Sequence, residues 1–231
     1  MQRLVLFDID GTLLSSHGAG RRAMEAALIE TFGTSGSPDY RYDGKTDRQI
    51  VRDLMRGAEF PDAVIDACMP QVLDVYVAGL KRELTLPHTR VQALTGVMEL
   101  LDALIPRSHC IVGLLTGNLE RGAQHKLNAA GIDFTRFALG AYGSDHEIRA
   151  ELPAIAQLRA REILGLEIGG ASMVIVGDTP SDIHCGRPIG ARAIAVATGH
   201  YSVDALAEHT PSAVFSDLAD TDAVLAAIDD A

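Results

Sequence analysis

Short, wholly apolar runs alternate along the chain with longer segments whose apolar residues recur every three or four positions. The first run is Leu4–Phe7, and comparable runs lie at 111–115, 137–139, 173–176, 193–196 and 213–215. Runs that are apolar on both faces are typical of strands buried inside a parallel sheet. Because helical patterns separate most of these runs, the chain predicts an α/β fold with a doubly wound parallel sheet.

A helical block interrupts this alternation after the first strand. The spacing of apolar residues predicts helices at 21–32, 47–56 and 61–80, with no confident strand between residues 19 and 85. Farther along the chain, it predicts helices at 91–104, 121–130 and 153–164 and a terminal helix from residue 220. We therefore expect an all-helical cap domain over residues 17–87, inserted into an α/β core domain of residues 1–16 and 88–231.

Charge and composition narrow the classes of partner. The net charge of −11 gives no basic footprint for nucleic acid or an anionic membrane surface, so we expect neither partner. No apolar run approaches the roughly 20 residues of a membrane span, and the first residues lack a signal-peptide pattern, so we expect a cytoplasmic protein. The three cysteines are far apart, which predicts free thiols. The sequence is compatible with a monomer or a homodimer.

Polar residues follow three of the predicted strands at their carboxyl ends. They are Asp8 and Asp10 after the first strand, Thr116 and Asn118 after 111–115, and Asp178 and Asp182 after 173–176. Ligands of open α/β sheets bind at the carboxyl ends of strands. Paired carboxylates repel each other, and an oxygen-binding cation such as Mg²⁺ relieves that repulsion. Singly, each residue could be a helix cap or a loop hydroxyl, but the three groups together favour a metal-dependent active site.

These residues also carry a resemblance to a known family. Three stretches of the chain resemble the first, second and fourth motifs of the haloacid dehalogenase superfamily. In that order, they are Asp8-Ile9-Asp10-Gly11-Thr12, Leu115-Thr116-Gly117-Asn118 and Gly177-Asp178-Thr179-Pro180-Ser181-Asp182. The resemblance covers the whole chain and is strongest to the phosphoglycolate-phosphatase-like branch, which has a small helical cap. It implies an enzyme that hydrolyses a small-molecule phosphate ester.

The resemblance implies roles for the four aspartates. Asp8 would be the nucleophile that forms an aspartyl-phosphate. Asp10 would protonate the leaving oxygen and then take a proton from the attacking water. Mg²⁺ would be held by the Asp8 carboxylate, the Asp10 backbone carbonyl and Asp178. Asp182 would orient the metal shell from outside it.

The resemblance and the cap sequence also suggest residues that bind the substrate. Thr116 would hydrogen-bond a phosphoryl oxygen, and we expect the neighbouring Gly117 and Asn118 to assist it. In the cap, the loop 43–47 offers backbone N–H groups and the Lys45 ammonium, which could close over the organic part of the substrate. Alternatively, this loop is an ordinary capped helix start, with Thr46 or Asp47 as the cap.

The chain departs from the family at the third motif, which is usually a lysine just before the helix that starts here near Pro153. No lysine follows Lys126 in this sequence. A cation is still needed to grip the phosphate, and Arg149 and Arg159 are the candidates. We favour Arg159, because its helix directs its N-terminus at the site. For each arginine, a solvated surface position is the alternative.

Other functions are compatible with parts of the sequence. A phosphomutase or a haloacid dehalogenase could use the same scaffold, although Asp10 argues against the dehalogenase. A non-catalytic binding module is disfavoured because the motif aspartates are intact. The stretch Gly18–Ala23 matches a dinucleotide-binding fingerprint, but it does not follow the strand directly, so a hinge is the better interpretation.

Overall fold

A six-stranded parallel sheet forms the centre of the computed structural model, which describes residues 2–230. The strands of the described chain are β1 (Arg3–Phe7), β2 (Leu14–Ser15), β3 (Gln92–Ala93), β4 (Cys110–Thr116), β5 (Gly140–Tyr142), β6 (Met173–Gly177), β7 (Arg192–Val196) and β8 (Ala213–Phe215). The order across the large sheet is β5-β4-β1-β6-β7-β8. The α/β parallel-sheet prediction is confirmed.

Strand β1 lies between β4 and β6, the two other strands that end in site motifs. Phe7 is in register with Leu114 on one side and with Val176 on the other. The ladder continues one residue farther, because the Asp8 amide donates to the Val176 carbonyl over 2.9 Å. This register brings the three polar strand ends to one edge of the sheet.

Helices cover both faces of the sheet. The helices of the described chain are α1 (Ala19–Phe32), α2 (Asp47–Gly57), α3 (Asp62–Glu83), α4 (Val97–Leu104), α5 (Glu120–Ala129), α6 (Leu152–Leu164), α7 (Pro180–Cys185), α8 (Val203–Ala207) and α9 (Thr221–Asp230). Val5 and Phe7 pack in one core cluster with α4, α5 and α9. Leu4 and Leu6 face the opposite cluster, which contains α6. Successive side chains of β1 therefore pack against helices on opposite faces of the sheet.

Helices α1, α2 and α3 form a three-helix unit with a hydrophobic cluster of their own. Helix α1 ends at Gly33, whose φ of 79° is the left-handed conformation that glycine adopts without strain. The Thr46 side chain caps α2 by accepting from the Gln49 amide. The short strands β2 and β3 pair antiparallel where the chain leaves and re-enters the core. The domain boundaries at residues 16–17 and 87–88 stay a prediction.

Two predicted elements lie elsewhere than expected. The helix predicted from residue 91 begins at Val97, since Gly96 turns the chain at a φ of 79° and Gln92–Ala93 is strand β3. The strand predicted at 137–139 is found at Gly140–Tyr142. Phe137 and Leu139 gave the apolar signal because they are buried in core clusters on opposite faces of the sheet.

Helix α3 is, by length and composition alone, long and apolar enough to cross a membrane, with a mean hydropathy of 1.4 over its most apolar 18 residues. Its buried residues include Ile65, Val72 and Leu80, which pack in the cluster of the three-helix unit. A packed helix of this kind meets the same length criterion, so α3 is weak evidence for a membrane protein.

Candidate active site

Three buried carboxylates meet at the carboxyl edge of the sheet. Oxygen atoms of Asp8, Asp178 and Asp182 lie within 4.8 Å of one another, and each residue is at most 6% exposed. Burial raises the pKa of Asp8 from 3.8 to about 6, although Arg149 lowers it and Asp182 adds to the rise. Burial and the neighbouring Asp182 and Asp8 carboxylates also raise the pKa of Asp178. The cluster is therefore short of positive charge.

Asp182 is already bound within the protein. Thr179 is the N-cap of α7, and its amide and hydroxyl donate to Asp182 Oδ2 over 3.0 and 2.6 Å. The other oxygen of Asp182 pairs with Arg149. This leaves Asp8 and Asp178 as the carboxylates with capacity for a hard cation, and their oxygen donors fit Mg²⁺. From α7, Asp182 therefore connects Thr179 with Arg149 at the border of the site.

Two glycines enclose the Asp178 side chain. A Cβ atom at Gly199, in the loop after β7, would overlap Asp178 Oδ2. A Cβ atom at Gly11 would overlap the same oxygen, and Gly11 also has a φ of 80°. The Thr12 hydroxyl donates to Asp178 Oδ1 over 3.2 Å. The sequence analysis did not identify Gly199, because a glycine after a strand carries no chemical signal of its own.

The structure places Arg149, and not Arg159, beside Asp8. Arg149 Nη2 lies 3.3 Å from Asp8 Oδ2, and the side chain is 6% exposed. Its Nε atom is buried and has no hydrogen-bond partner among the described residues. Arg159 instead donates to both oxygens of Asp145, over 2.6 and 2.8 Å. The preference for Arg159 is thus corrected, because α6 directs that side chain to the outer side of β5.

A second buried cation was missed in the sequence. Lys126 Nζ lies 2.6 Å from Asp10 Oδ2 and 2.6 Å from Asn118 Oδ1. Lys126 is 4% exposed. It shares the buried face of α5 with Ala123 and Leu127, and a lysine at helical spacing among buried apolar residues is unusual. That spacing was the signal available from the sequence.

Thr116 and Asn118 form a connected pair beside Asp8. Asn118 Nδ2 donates to Thr116 Oγ1 over 2.8 Å and to Asp10 Oδ2 over 2.9 Å. The Thr116 hydroxyl also hydrogen-bonds Asp8. The two predicted phosphate-binding residues therefore touch both aspartates of the first motif.

Gly117 and Lys45 lie where the three-helix unit meets the core. The Gly117 carbonyl accepts from the Asp47 amide over 2.8 Å, and a Cβ atom at Gly117 would overlap the Lys45 carbonyl. Lys45 Nζ pairs with Asp53 at 3.4 Å and lies 5.4 Å from the centre of the Tyr40 ring. Both Gly117 and Lys45 line the cleft, so the loop before α2 caps its helix and also borders the site.

A cleft of about 890 Å³ separates the sheet edge from the three-helix unit. Asp8, Asp10, Thr116, Arg149 and Asp178 line its floor. Side chains of the three-helix unit line the opposite wall, namely Arg21, Met24, Arg41, Tyr42, Ile50 and Tyr76. The volume suits a small molecule.

Comparisons with known proteins give a matching family model, a relative in sequence and solved structures of similar fold. A family model described as HAD-hydrolase-like matches residues 151–221. Phosphoglycolate phosphatase 1 of Pseudomonas aeruginosa is 25% identical over 227 residues, which cover 95% of this chain and 78% of that protein. The solved structure of a hydrolase from Pseudomonas syringae is 20% identical, with a TM-score of 0.73 over 97% of this chain and 98% of that one. A predicted phosphoglycolate phosphatase from Haemophilus somnus is 21% identical, with a TM-score of 0.69 over 97% and 98%.

The matched relatives and the residues of the site agree. The relative from P. aeruginosa matches nearly the whole chain. The two solved structures share the fold of this chain over a similar extent. The strand ends of β1, β4 and β6 carry the three motifs on which the resemblance rested. The chain is therefore similar, in sequence and in fold, to haloacid dehalogenase-like hydrolases.

Proposed function

We propose that the chain is a Mg²⁺-dependent phosphatase that hydrolyses a small phosphorylated metabolite through an aspartyl-phosphate on Asp8. Candidate substrates are a phosphoglycolate-like acid, a sugar phosphate or a nucleotide monoester. The observation that carries the proposal is the Asp8 carboxylate, buried at a strand end with Asp178 and with Arg149 3.3 Å away. The likeness to a phosphoglycolate phosphatase supports the same reaction class.

The reaction proceeds in two steps on the chain's own groups. In the first, an Asp8 oxygen attacks phosphorus in line, the bond from phosphorus to the leaving oxygen breaks, and Asp10 gives that oxygen a proton. In the second, Asp10 takes a proton from water, whose oxygen attacks the aspartyl-phosphate and releases Asp8 and inorganic phosphate. The position of Asp10 supports this role, because its carboxylate lines the cleft together with Asp8.

Two kinds of positive charge prepare Asp8 for an anionic substrate. Asp8, Asp178 and the Asp10 carbonyl would hold Mg²⁺, which, when bound, neutralises the charge between the carboxylate and the phosphate. Arg149 supplies fixed positive charge beside Asp8, and its free Nε atom offers a donor to a phosphoryl oxygen. Thr116 offers a hydroxyl to the same group.

We propose that the three-helix unit acts as the cap that selects the organic part of the substrate. Its side chains form the wall opposite Asp8. Lys45 and the loop around it border that wall, although the Lys45 ammonium also pairs with Asp53. This supports a contribution from the backbone of the loop as well as from the lysine.

The first experiment is hydrolysis of p-nitrophenyl phosphate by the purified chain, with Mg²⁺ and with EDTA, beside Asp8→Asn. We expect turnover that requires Mg²⁺ and is absent from Asp8→Asn, because an amide cannot form the acyl phosphate. Borohydride trapping of the acyl phosphate on Asp8 gives an independent reading. Turnover retained by Asp8→Asn would reject the proposal, and transfer of the phosphoryl group to a sugar instead of water would indicate a mutase.

A further inference from the structure

Lys126 is a buried cation to which the reaction described above assigns no role. It is 4% exposed, and a buried ammonium is costly unless its hydrogen bonds and charge are satisfied. Its two hydrogen-bond acceptors are Asp10 and Asn118, both at 2.6 Å. Both acceptors also line the cleft. The position of Lys126 is therefore tied to the proposed acid–base residue.

The contacts of Asp10 are divided unequally between its two oxygens. Oδ2 accepts from Lys126 Nζ over 2.6 Å and from Asn118 Nδ2 over 2.9 Å. Oδ1 accepts no hydrogen bond from the described residues, and 41% of the side chain is exposed. One oxygen is thus anchored, while the other is free to carry a proton to a ligand in the cleft.

The three-helix unit also contributes residues around Lys126. A Cβ atom at Gly20 of α1 would lie 3.1 Å from Lys126 Nζ. Asp47 of α2 interacts electrostatically with Lys126, and the Tyr76 hydroxyl of α3 hydrogen-bonds Asp47. Each helix of the unit thus contributes a residue around the lysine. These contacts fix Nζ and, through it, the orientation of Asp10.

We propose that Lys126 is a positioning residue that holds the Asp10 carboxylate so that its free Oδ1 meets the leaving-group oxygen. The proposal rests on the phosphatase function proposed above. In the first step, the proton on Oδ1 passes to the leaving oxygen as the bond from phosphorus breaks, and Oδ1 takes it back from water in the second. Lys126 itself also lines the cleft, but its ammonium is engaged by Asp10 and Asn118, and it exchanges no proton.

A positioning role has a consequence that a purely structural role lacks. A nitrophenolate leaves readily without a proton, whereas an alkoxide needs one, and a general acid accelerates such steps by about 10²–10⁴-fold. Loss of Lys126 should therefore slow formation of the aspartyl-phosphate from alkyl phosphates far more than from aryl phosphates. A variant that merely folds poorly would lose both activities by the same factor.

The test compares Lys126→Met with the natural chain on p-nitrophenyl phosphate and on 2-glycerophosphate, by single-turnover kinetics. Met preserves most of the length of the side chain but removes the ammonium. We expect the rate on 2-glycerophosphate to fall about 100-fold more than the rate on p-nitrophenyl phosphate. Inhibition by inorganic phosphate should stay the same. Lys81→Met, which removes an exposed lysine of α3, is the matched control and should match the natural chain on both substrates.

Equal losses on both substrates, or weaker inhibition by phosphate, would overturn the inference. A crystal structure of Lys126→Met gives a reading that does not depend on activity. Asp10 should leave its position beside Asn118, while Asp8 and Arg149 keep theirs, and an unmoved Asp10 carboxylate would also overturn the inference. If the natural chain hydrolyses neither phosphate, the proposed function fails, and the crystal structure still decides whether Lys126 positions Asp10.

Discussion

At the level of single residues, two buried cations pair with different carboxylates of the site. Arg149 lies between Asp8 and Asp182, and Lys126 lies beside Asp10. A planar guanidinium can contact two groups at once, whereas an ammonium concentrates its charge at one point. Removing one partner of such a buried pair leaves an uncompensated charge, which typically costs about 3–5 kcal/mol. Both positions are therefore sensitive to substitution for electrostatic reasons.

Replacing Arg149 should damage catalysis more than replacing Arg159. We expect Arg149→Lys to lower kcat/KM by about 10²–10³-fold, the range for loss of one donor to developing charge. Arg159→Met should change kcat/KM by less than about threefold, because it breaks a partly exposed pair with Asp145. Steady-state kinetics on p-nitrophenyl phosphate, beside urea unfolding of each variant, measures both effects. A larger loss from Arg159→Met would restore the assignment favoured by the sequence.

The sequence located the site residues that directly follow a strand. It did not locate those whose side chains reach the site from other elements. Asp8, Thr116 and Asp178 follow apolar runs directly, so the strand pattern located them. The preference for Arg159 over Arg149 lacked such a basis, because the directions of these side chains depend on how residues 149–151 and α6 pack on the sheet. Lys126 carried a signal, its buried helical face, that becomes meaningful only once α5 is known to pass Asp10.

At the scale of elements, the loops after the strands hold the carboxylates of the candidate metal site by close packing. Gly199 follows β7 and contacts Asp178 where a Cβ atom would overlap the carboxylate. Its backbone φ is not in the left-handed region, so the constraint is steric and not conformational. The loop after β7 therefore sets the position of a side chain from the loop after β6.

Gly199→Ala should weaken Mg²⁺ binding without unfolding the protein. The added methyl group displaces Asp178, and we expect the Mg²⁺ concentration for half-maximal activity to rise about tenfold or more. Gly169→Ala is the matched control, because no atom lies within 4 Å of its added Cβ. Thermal stabilisation by Mg²⁺ should shrink in parallel in Gly199→Ala. An unchanged Mg²⁺ requirement would show that the carboxylate has room to move.

The loop before α2 docks on the start of α7. A Cβ atom at Gly44 would lie 2.5 Å from the Ser181 hydroxyl oxygen, and the Gly44 φ of 70° favours glycine. Gly33 has a φ of 79° and open space around its added Cβ. A side chain at either position would therefore strain the backbone, but only one at position 44 would also collide with α7.

Gly44→Ala should loosen the three-helix unit over the cleft, whereas Gly33→Ala should not. Both substitutions cost about 1 kcal/mol of backbone strain, so both thermal midpoints should fall, and that of Gly44→Ala should fall further because its added Cβ also meets Ser181. Gly44→Ala should also raise KM and speed hydrogen exchange of residues 41–47. Equal KM values for the two variants would mean that this loop does not border the bound substrate.

At the scale of the whole molecule, polar contacts around Asp47 join the three-helix unit to the loop after β4. Its amide donates to the Gly117 carbonyl, and its carboxylate accepts from the Leu119 amide, each over 2.8 Å. The α/β class and the helical insertion followed from hydrophobic patterning. The way the three-helix unit packs on the rest of the chain could not be predicted from that patterning. It depends on the buried Asp47 carboxylate, which in the sequence resembles an ordinary aspartate at the start of a helix.

Asp47 should make stability fall as pH rises through a defined window. Burial raises its pKa from 3.8 to about 6, although Lys126 opposes the rise. Between these values the folded chain binds more protons at Asp47 than the unfolded chain, so the free energy of unfolding decreases with rising pH. The contribution is complete below about pH 4 and is lost above about pH 6, and it amounts to about 3 kcal/mol.

Urea unfolding in EDTA, from pH 4 to pH 7, isolates this contribution in Asp47→Asn. The amide does not titrate, so the variant should lose about 3 kcal/mol of the pH-dependent decrease seen in the natural chain. Asp74→Asn removes one carboxylate that is 78% exposed, changes the net charge equally and should keep the natural slope. If Asp47→Asn keeps that slope as well, the buried carboxylate does not make the stability depend on pH. The decrease then comes from Asp8 and Asp178 of the candidate metal site, whose pKa values burial also raises.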